Sequence, residues 1–315
     1  MKWLLGWLTR MWVAITLAFV LVELGPGDPA RQMVGPQATA SEVQRVRHEL
    51  GWDAPTSVRY QRLLGSYLHR AGAGDHQACA HLGPLHVSLG LSYVRHKPVA
   101  AVIQDRLAPT AALAIAALIA EALLGLLLAQ LLRANRFARA ADTLGAFAAS
   151  APAFAIAIAL QAWFAAALGW FPIGGYDAGS HIRSLVLPAL SVGVLGAMTY
   201  AKIANDLWQE AARKDFARTA RSKGASKRRT FWVHIARVSW GPLLVMLATD
   251  AGLFLGGIAT VENVFRFPGL GTLAVHSVLA GDLPTLIGLV MLATTSVSVC
   301  SALGRLAAAR LQSGH

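Results

Sequence analysis

Cysteine and charged residues are both scarce in this chain, and each scarcity excludes a class of protein. Only 2 of the 315 residues are cysteines, Cys79 and Cys300, so no disulfide framework can form, and no Cys/His spacing offers a zinc site. Charged residues make up 14% of the chain, against roughly 25% in average soluble domains, and hydrophobic residues make up 55%. We therefore expect neither a single soluble domain nor a bound metal or cofactor.

Signatures of enzymatic chemistry are missing as well. The sequence contains no G-x-x-x-x-G-K-[S/T] phosphate loop, no H-E-x-x-H helix and no G-x-S-x-G nucleophile elbow. The sequence contains no recognisable combination of catalytic residues. If this protein works with ATP, we expect another polypeptide to hydrolyse it.

Long apolar runs dominate what is present. About 20 apolar residues in a helix cross the ~30 Å hydrocarbon layer and satisfy every backbone amide internally. Six segments are long enough, which predicts an all-α polytopic membrane protein with six transmembrane helices. They are 3–24, 108–132, 144–168, 185–203, 239–262 and 284–303.

These segments divide the chain into four parts. We expect a retained first transmembrane helix at 1–24, because residues 23–29 offer no convincing signal-peptide cleavage site. A long loop or lid at 25–107 follows. The core of five helices at 108–304 contains a long connection at 205–237, and a tail at 305–315 ends the chain.

The positive charges indicate the orientation. The chain has 28 Lys and Arg against 16 Asp and Glu, a net charge of +12. The basic residues crowd the connections after the second, fourth and sixth segments, whereas the opposite short connections carry only Arg183 and Arg266. Because Lys and Arg in short loops stay in the cytoplasm, both termini and the 205–237 connection are predicted to be cytoplasmic, and the 25–107 loop extracytoplasmic. The charge is thus a topology signal and does not indicate a nucleic-acid partner.

The 25–107 loop has the pattern of a folded appendage. Ser41-Glu42-Val43-Gln44 resembles a capping box before a helical pattern, and a second amphipathic stretch runs over 57–69 until Gly72-Ala73-Gly74 ends it. Two interpretations stay open. The loop is a lid packed on the outer membrane face, or it is a surface that touches a delivered ligand or its carrier.

The 205–237 connection is too patterned to be a simple turn. Residues 215–226 alternate charged and small side chains, then break at Gly224, which favours two short helices meeting at a glycine corner. Small Ala217 and Ala220 would let a partner approach, and arginines bind carboxylates with two parallel hydrogen bonds. This pattern favours a docking element for a cytoplasmic protein. The alternative is a basic loop held on anionic lipid headgroups.

Several short motifs follow one another along the whole chain. They are 25–29, 89–93, 98–99, 106–110, 187–190, 215–224, His234, Pro242, 262–271 and 282–284. Their order and spacing resemble, from end to end, the permease subunits of the dipeptide/oligopeptide/nickel class of ABC importers. The resemblance implies the type I importer permease fold. It also implies membrane lipid, a second permease subunit in a homo- or heterodimer, two cytoplasmic ATPase subunits and an extracytoplasmic solute-binding protein as partners. Short peptides are the leading substrate, with nickel complexes, glutathione-like molecules and glycosides as alternatives.

The resemblance also assigns residues. In the family, a cytoplasmic loop known as the EAA motif forms a coupling helix that docks in a cleft of the ATPase, with a glycine six residues after its first position. Counting back from Gly224 gives Arg218-Thr219-Ala220. The literal Glu210-Ala211-Ala212 is out of register, and Val238 stands where relatives often have Asn. The implied set that couples to the ATPase is Arg218, Thr219, Ala220, Lys223 and Gly224.

Polar residues inside the predicted membrane segments are further candidates. Glu121 and Asp250 fall near the middle of the second and fifth segments, and with Gln161 they are predicted to line the translocation path. The alternative is that each acid is neutral or satisfied by a neighbouring polar side chain as a packing contact. A different function, an ion-gradient-driven secondary transporter, would use the two acids as a relay. Gly252 and Gly256 are predicted to let another helix approach closely.

Overall fold

Helices make up most of the chain in a computed structural model, which describes residues 2–24, 29–34, 37–49, 51–70, 79–82, 85–133, 152–176 and 181–313. Two stretches, Gln161–Ala167 and Thr230–Ile235, are π-helical. The α-helices are Lys2–Glu23, Pro29–Val34, Ala40–Glu49, Thr56–Tyr67, Val99–Arg133, Ala153–Leu160, His181–Arg213, Asp215–Ser222, Lys227–Arg229, Ala236–Leu255, Ala259–Val264, Leu270–Leu279 and Leu283–Ser313.

Five helices in the described part of the chain are long and apolar enough to cross a membrane. They are Leu4–Glu23, Val99–Arg133, Ile182–Arg213, Lys227–Leu255 and Leu283–Leu311. This confirms the all-α polytopic class. Residues 144–151 of the expected third segment lie outside the described residues, and the rest forms the shorter apolar helix Ala153–Ala167.

Several predicted helix ends were wrong. The second long helix begins at Val99 and not at 108, with Pro109 accommodated inside it. The predicted 239–262 helix ends at Leu255, because Gly257 has a φ of 102° that no α-helix continues through, and a separate helix, Ala259–Val264, follows. The helix predicted at 185–203 continues to Arg213, since polar but helix-forming residues extend it. Much of the predicted 205–237 connection is therefore helix, and residues 214–226 join the two long helices.

Residues Met1–Ala108 and Leu270–Thr295 form one compact unit. Within it a three-stranded antiparallel sheet follows the Thr56–Tyr67 helix, with the last strand in the middle; its strands are Leu68–Arg70, Cys79–Leu82 and Leu85–Ser88. Leu68 pairs with Val87, and Cys79 pairs with Ser88. The sequence reading missed this sheet and extended the preceding helix to His69.

The Thr56–Tyr67 helix packs on the first helix of the chain. The Tyr60 hydroxyl hydrogen-bonds the Thr16 hydroxyl at 2.6 Å, and the Tyr60 ring lies 5.3 Å from that of Phe19. Arg59 forms an ion pair with Glu23. The amphipathic face predicted for this stretch thus covers a helix of the same chain.

The N-terminal cap of the Ala40–Glu49 helix differs from the one predicted. Thr39 is the N-cap residue of Ala40–Glu49: its backbone N–H and its hydroxyl both donate to Glu42 Oε2 at 2.8 Å. These bonds lower the pKa of Glu42. The capping box therefore begins at Thr39 and not at Ser41, because the N3 glutamate reaches back three residues.

Asp282 ties two of the sequence motifs together within the same unit. Its buried carboxylate accepts hydrogen bonds from the Ser92 hydroxyl at 2.5 Å, the Tyr93 N–H at 3.1 Å and the Thr285 hydroxyl at 2.7 Å. Burial, and then the Asp282 charge, raise the pKa of the Tyr93 hydroxyl. The acid caps the Leu283–Ser313 helix and holds the 89–93 segment against its start.

Residues Pro109–Gly269 and Ser296–His315 form the other unit. A Cβ atom at Gly252 would lie 2.5 Å from the Val297 Cα atom, and one at Gly304 would lie 2.5 Å from the Ala248 Cβ atom. The Ala236–Leu255 helix and the end of the Leu283–Ser313 helix therefore meet almost backbone to backbone. Gly256 occupies the C-cap of the first of these helices, where its N–H donates to Gly252 O at 3.2 Å.

We predict that Gly252→Ala destabilises the protein by about 1–3 kcal/mol, the usual effect of overpacking, because the added methyl group meets backbone that cannot rotate away. The measurement is the thermal unfolding midpoint of the detergent-solubilised chain. Gly6→Ala is the matched control, since no described atom lies within 4 Å of a Cβ atom there. Equal midpoints for the two variants would contradict the close approach.

Candidate functional site

A bend at residues 214–226, here called the Gly224 bend, separates two long helices. The chain leaves His181–Arg213, turns at Lys214, forms the short helix Asp215–Ser222 and reverses direction at Gly224. Gly224 has a φ of 83°, a conformation that suits glycine at the end of a helix. Its N–H donates to Arg221 O at 3.0 Å. No described atom lies within 4 Å of where a Cβ atom would be, so backbone conformation and not crowding requires glycine here.

One face of the short helix is anchored in the protein. Ala217 is completely buried, in a cluster that includes Trp208, Phe231 and Leu243. The rings of Trp208 and Phe231 meet edge to face at 5.0 Å. The suggestion that Ala217 admits a partner protein was therefore wrong, because this methyl group packs against the chain's own membrane helices.

The position of the short helix is also held by Arg221. Its Nε donates to Ala217 O at 3.0 Å, and its Nη2 donates to Ala212 O at 2.9 Å. The guanidinium group thus caps one of the last carbonyls of the His181–Arg213 helix and ties the short helix to it. The sequence reading counted Arg221 only among the basic residues and missed this role, although a basic residue in the last turn is a usual capping signal.

The residues that the family resemblance singled out lie around and just after this helix. The Arg218 side chain is 73% exposed, and its ion pair with Asp215 is long at 4.0 Å. Thr219, Lys223 and Gly224 are exposed, and Ala220 is half-buried. These five residues therefore lie close together along the bend, four of them are exposed, and Arg218 and Lys223 make the exposed part positively charged.

The literal Glu210-Ala211-Ala212 sequence lies inside the His181–Arg213 helix. Glu210 pairs with Lys214 at 3.0 Å, one helical turn away, and Ala211 is buried. These residues are part of the long helix and not of the Gly224 bend. This agrees with the spacing from Gly224, which assigns the motif to Arg218-Thr219-Ala220.

Glu121 and Asp250 face each other between two helices. Glu121 is only 1% exposed, and its two carboxylate oxygens, like Asp250 Oδ2, have no hydrogen-bond partner among the described residues. The two side chains are nevertheless near enough to interact electrostatically. Two acids packed in an apolar bundle must share a proton or gain a partner, because an isolated charge there is strongly unfavourable.

A third helix makes room for this carboxyl pair. A Cβ atom at Gly196 would lie 2.5 Å from Glu121 Cδ, so only glycine fits beneath the carboxyl group. Tyr200, one turn further along that helix, is buried against Gly125. The sequence reading missed Gly196 and Tyr200, although a glycine in an apolar helix signals close helix approach.

The hydrogen bonds of Gln161 do not involve the carboxyl pair. Its side-chain amide donates to Val264 O at 3.4 Å and to Ile173 O. It thereby connects the π-helical stretch Gln161–Ala167 with the loop before residue 176 and with the Ala259–Val264 helix. Of the three residues predicted for the path, the structure joins the two acids and engages the glutamine with backbone carbonyls.

Glu262 is a buried acid that the sequence reading mentioned only within a motif. It is completely buried and accepts a hydrogen bond from the Thr110 hydroxyl at 3.1 Å, with its carboxyl group packed against Gly269. Its own carbonyl accepts from the Phe267 N–H at 2.7 Å, which closes the turn in which Arg266 has a φ of 49°. The 262–271 motif thus folds around one carboxylate.

In the described part of the chain, no group of three His, Cys, Asp or Glu side chains could hold a metal ion.

Comparisons with known proteins identify the family. Residues 121–314 match the family described as the binding-protein-dependent transport system inner membrane component, and residues 1–114 match the N-terminal domain of the same membrane components. The glutathione transport system permease protein GsiC of Salmonella paratyphi A is 34% identical over 289 residues, covering 91% of this chain and 88% of that protein. GsiC of Escherichia coli K12 is 33% identical over 288 residues, with 90% and 88% covered. The chain belongs to the multi-pass inner-membrane permease subunits of binding-protein-dependent ABC importers.

Proposed function

We propose that this permease subunit pairs with a second permease to form the translocation path of an importer for short peptides, driven by two separate cytoplasmic ATPase subunits. The observation that carries the proposal is the Gly224 bend. Its helix is anchored through Ala217, whereas Arg218, Thr219, Lys223 and Gly224 are exposed and Ala220 is half-buried. An element that is rigidly attached on one side and exposed on the other suits the transmission of movement.

The anchoring explains how docking would move the membrane helices. The short helix is tied to the preceding long helix through Arg221 and Ala212 O, and it packs through Ala217 on the cluster that contains Phe231. Phe231 belongs to the following long helix. When ATP binding draws the ATPase subunits together, a displacement of the bend is therefore transferred to two membrane helices at once.

The chemistry of the exposed face indicates what the ATPase would offer. Arg218 and Lys223 favour a cleft lined by carboxylates, and the small Ala220 and Gly224 allow close backbone approach. The chain contributes no nucleotide-binding loop of its own. ATP is thus bound and hydrolysed by the partner, and both termini of this chain lie in the cytoplasm with the bend.

The substrate class follows from the relatives. The permeases at 33–34% identity carry the name of glutathione transport systems, and glutathione is a small peptide. A solute-binding protein would select the peptide and deliver it to the extracytoplasmic side, where the folded 25–107 loop offers a docking surface.

Glu121 and Asp250 lie beside the proposed path. Three of their four carboxyl oxygens have no hydrogen-bond partner among the described residues, so a transported peptide could supply amino or amide hydrogens to them. Gln161, the third predicted path residue, stabilises the neighbouring backbone in this conformation.

A second function is favoured by one observation, the facing carboxyl pair. Two acids in a membrane bundle are typical of proton relays in secondary transporters. In that case the importer would respond to the ion gradient and not to ATP.

We predict that Gly224→Pro lowers uptake by at least about tenfold, which corresponds to ~1.4 kcal/mol, while membrane insertion stays normal. Proline holds φ near −65° and cannot adopt the +83° of this position, so the exposed face turns away from the ATPase. The measurement is peptide uptake and ATP hydrolysis in proteoliposomes that contain all subunits.

Gly224→Asn is the matched control, because asparagine tolerates positive φ. It should keep most of the uptake. Normal uptake by Gly224→Pro would refute coupling through this bend.

We also predict that Glu121→Gln lowers uptake by about tenfold without releasing the ATPase subunits, since the amide replaces an acceptor oxygen with a donor. Thr249→Val is the control, because Thr249 neighbours Asp250 but bonds Val245 O and Ser301. Uptake and co-purification of the ATPase subunits are measured together.

Adding a protonophore to the same proteoliposomes separates the two functions. We expect ATP-driven uptake by the unchanged protein to continue. Uptake that stops with the protonophore and proceeds without ATP would establish the ion-gradient transporter instead.

A further inference from the structure

A basic pocket lies beside the Gly224 bend but outside its exposed face. It has a volume of about 430 Å³ and is lined by Gln130, Arg133, Lys227, Arg228, Phe231 and Trp232. Among the described residues, no acidic side chain lines it, and Arg133, Lys227 and Arg228 have no ion-pair partner. The described lining is therefore concentrated positive charge.

The geometry of the pocket is fixed by aromatic packing. The Arg133 guanidinium group lies 3.8 Å above the centre of the Phe231 ring, and Phe231 is itself buried. This cation–π contact holds the arginine at the end of the Val99–Arg133 helix without neutralising it. Its hydrogen-bond donors remain available to an anion.

An apolar groove adjoins the basic pocket. It has a volume of about 180 Å³ and shares Gln130 and Trp232 with the pocket, while Leu127, Trp240 and Leu243 extend it. Leu127 lies six residues before Arg133, about 9 Å along the helix at 1.5 Å per residue. The groove thus runs from the charged helix ends back along membrane-spanning segments, and Leu127 and Trp240 are exposed there.

The groove also contains an unused hydrogen-bond donor. Trp208 lines it and is 4% exposed, yet its Nε1–H has no acceptor in the part of the chain that the structure describes. A buried indole N–H normally finds a partner. A ligand in the groove with a carbonyl oxygen between its charged end and its apolar end would provide one.

We infer that the basic pocket and the apolar groove together bind one anionic phospholipid of the cytoplasmic leaflet. The phosphate and any further anionic group contact Arg133, Lys227 and Arg228, an ester carbonyl accepts from Trp208, and an acyl chain lies along Leu127 and Trp240. Charge complementarity and the adjoining apolar groove along membrane helices favour a lipid over a protein partner, since the groove accommodates the first part of an acyl chain. The inference rests on the proposed cytoplasmic orientation but not on coupling to ATP.

Lipid binding to the purified full chain tests this directly. The chain is placed in nanodiscs of phosphatidylcholine with one quarter phosphatidylglycerol, released into mild detergent, and examined by native mass spectrometry. We expect one retained phosphatidylglycerol molecule, bound in preference to phosphatidylcholine. Equal retention of the two lipids would overturn the inference, and this comparison needs no variant.

Variants locate the site. Lys227→Gln with Arg228→Gln should lower phosphatidylglycerol retention by about fivefold for each residue removed. Arg213→Gln with Lys214→Gln is the matched control, because these cations line a neighbouring depression together with Asp206 and Glu210. An equal loss in the control, or no loss in the first variant, would refute the site.

The same variants are tested for co-purification of the ATPase subunits. If Lys227→Gln with Arg228→Gln releases the ATPase subunits and leaves lipid retention unchanged, the surface is a protein interface and the lipid site is refuted. Lipid retention is measured on this chain alone, so failure of the uptake experiments does not affect its outcome.

Discussion

The conformation of one residue, Gly224, determines how the chain bends between two long membrane helices. Inside the hydrocarbon layer of the membrane, the segments before and after the bend must be helical, because every backbone amide there must be paired internally. The short helix ends at a backbone conformation of positive φ, which Gly224 adopts at 83° without strain. The short helix before it is then free to pack one face inward and leave the other face exposed.

Buried acids in this protein show two different ways of accommodating charge. Asp282 and Glu262 accept hydrogen bonds from neighbouring hydroxyl or backbone groups, and each holds a sequence motif in place. Glu121 and Asp250 have no such donors for three of their carboxyl oxygens in the described chain. Acids of the first kind stabilise a fold, whereas acids of the second kind require a proton or a ligand, which is why we associate them with the transport path.

Some features of the candidate site could be predicted from the sequence, and others could not. The break at Gly224 and the exposed basic face followed from local rules, since glycine and the alternation of charged and small residues act over a few positions. The burial of Ala217, the double hydrogen bond of Arg221 and the three-stranded sheet in the 25–107 loop did not follow. Each depends on a neighbour that is determined by packing or by strand pairing and not by the adjacent residues.

The sequence by itself determined the membrane class, the positions of the apolar helices to within several residues, and the family, because hydropathy, charge asymmetry and motif spacing are all properties of the linear chain. Only the tertiary structure decided that Glu121 meets Asp250 over Gly196, that Gly252 packs on the Val297 backbone, and that Arg133 joins Lys227 and Arg228 in one pocket. These contacts join residues dozens of positions apart on different helices. Their geometry depends on how each helix is rotated about its axis, and hydrophobicity alone does not specify that rotation when a helix is apolar on every side.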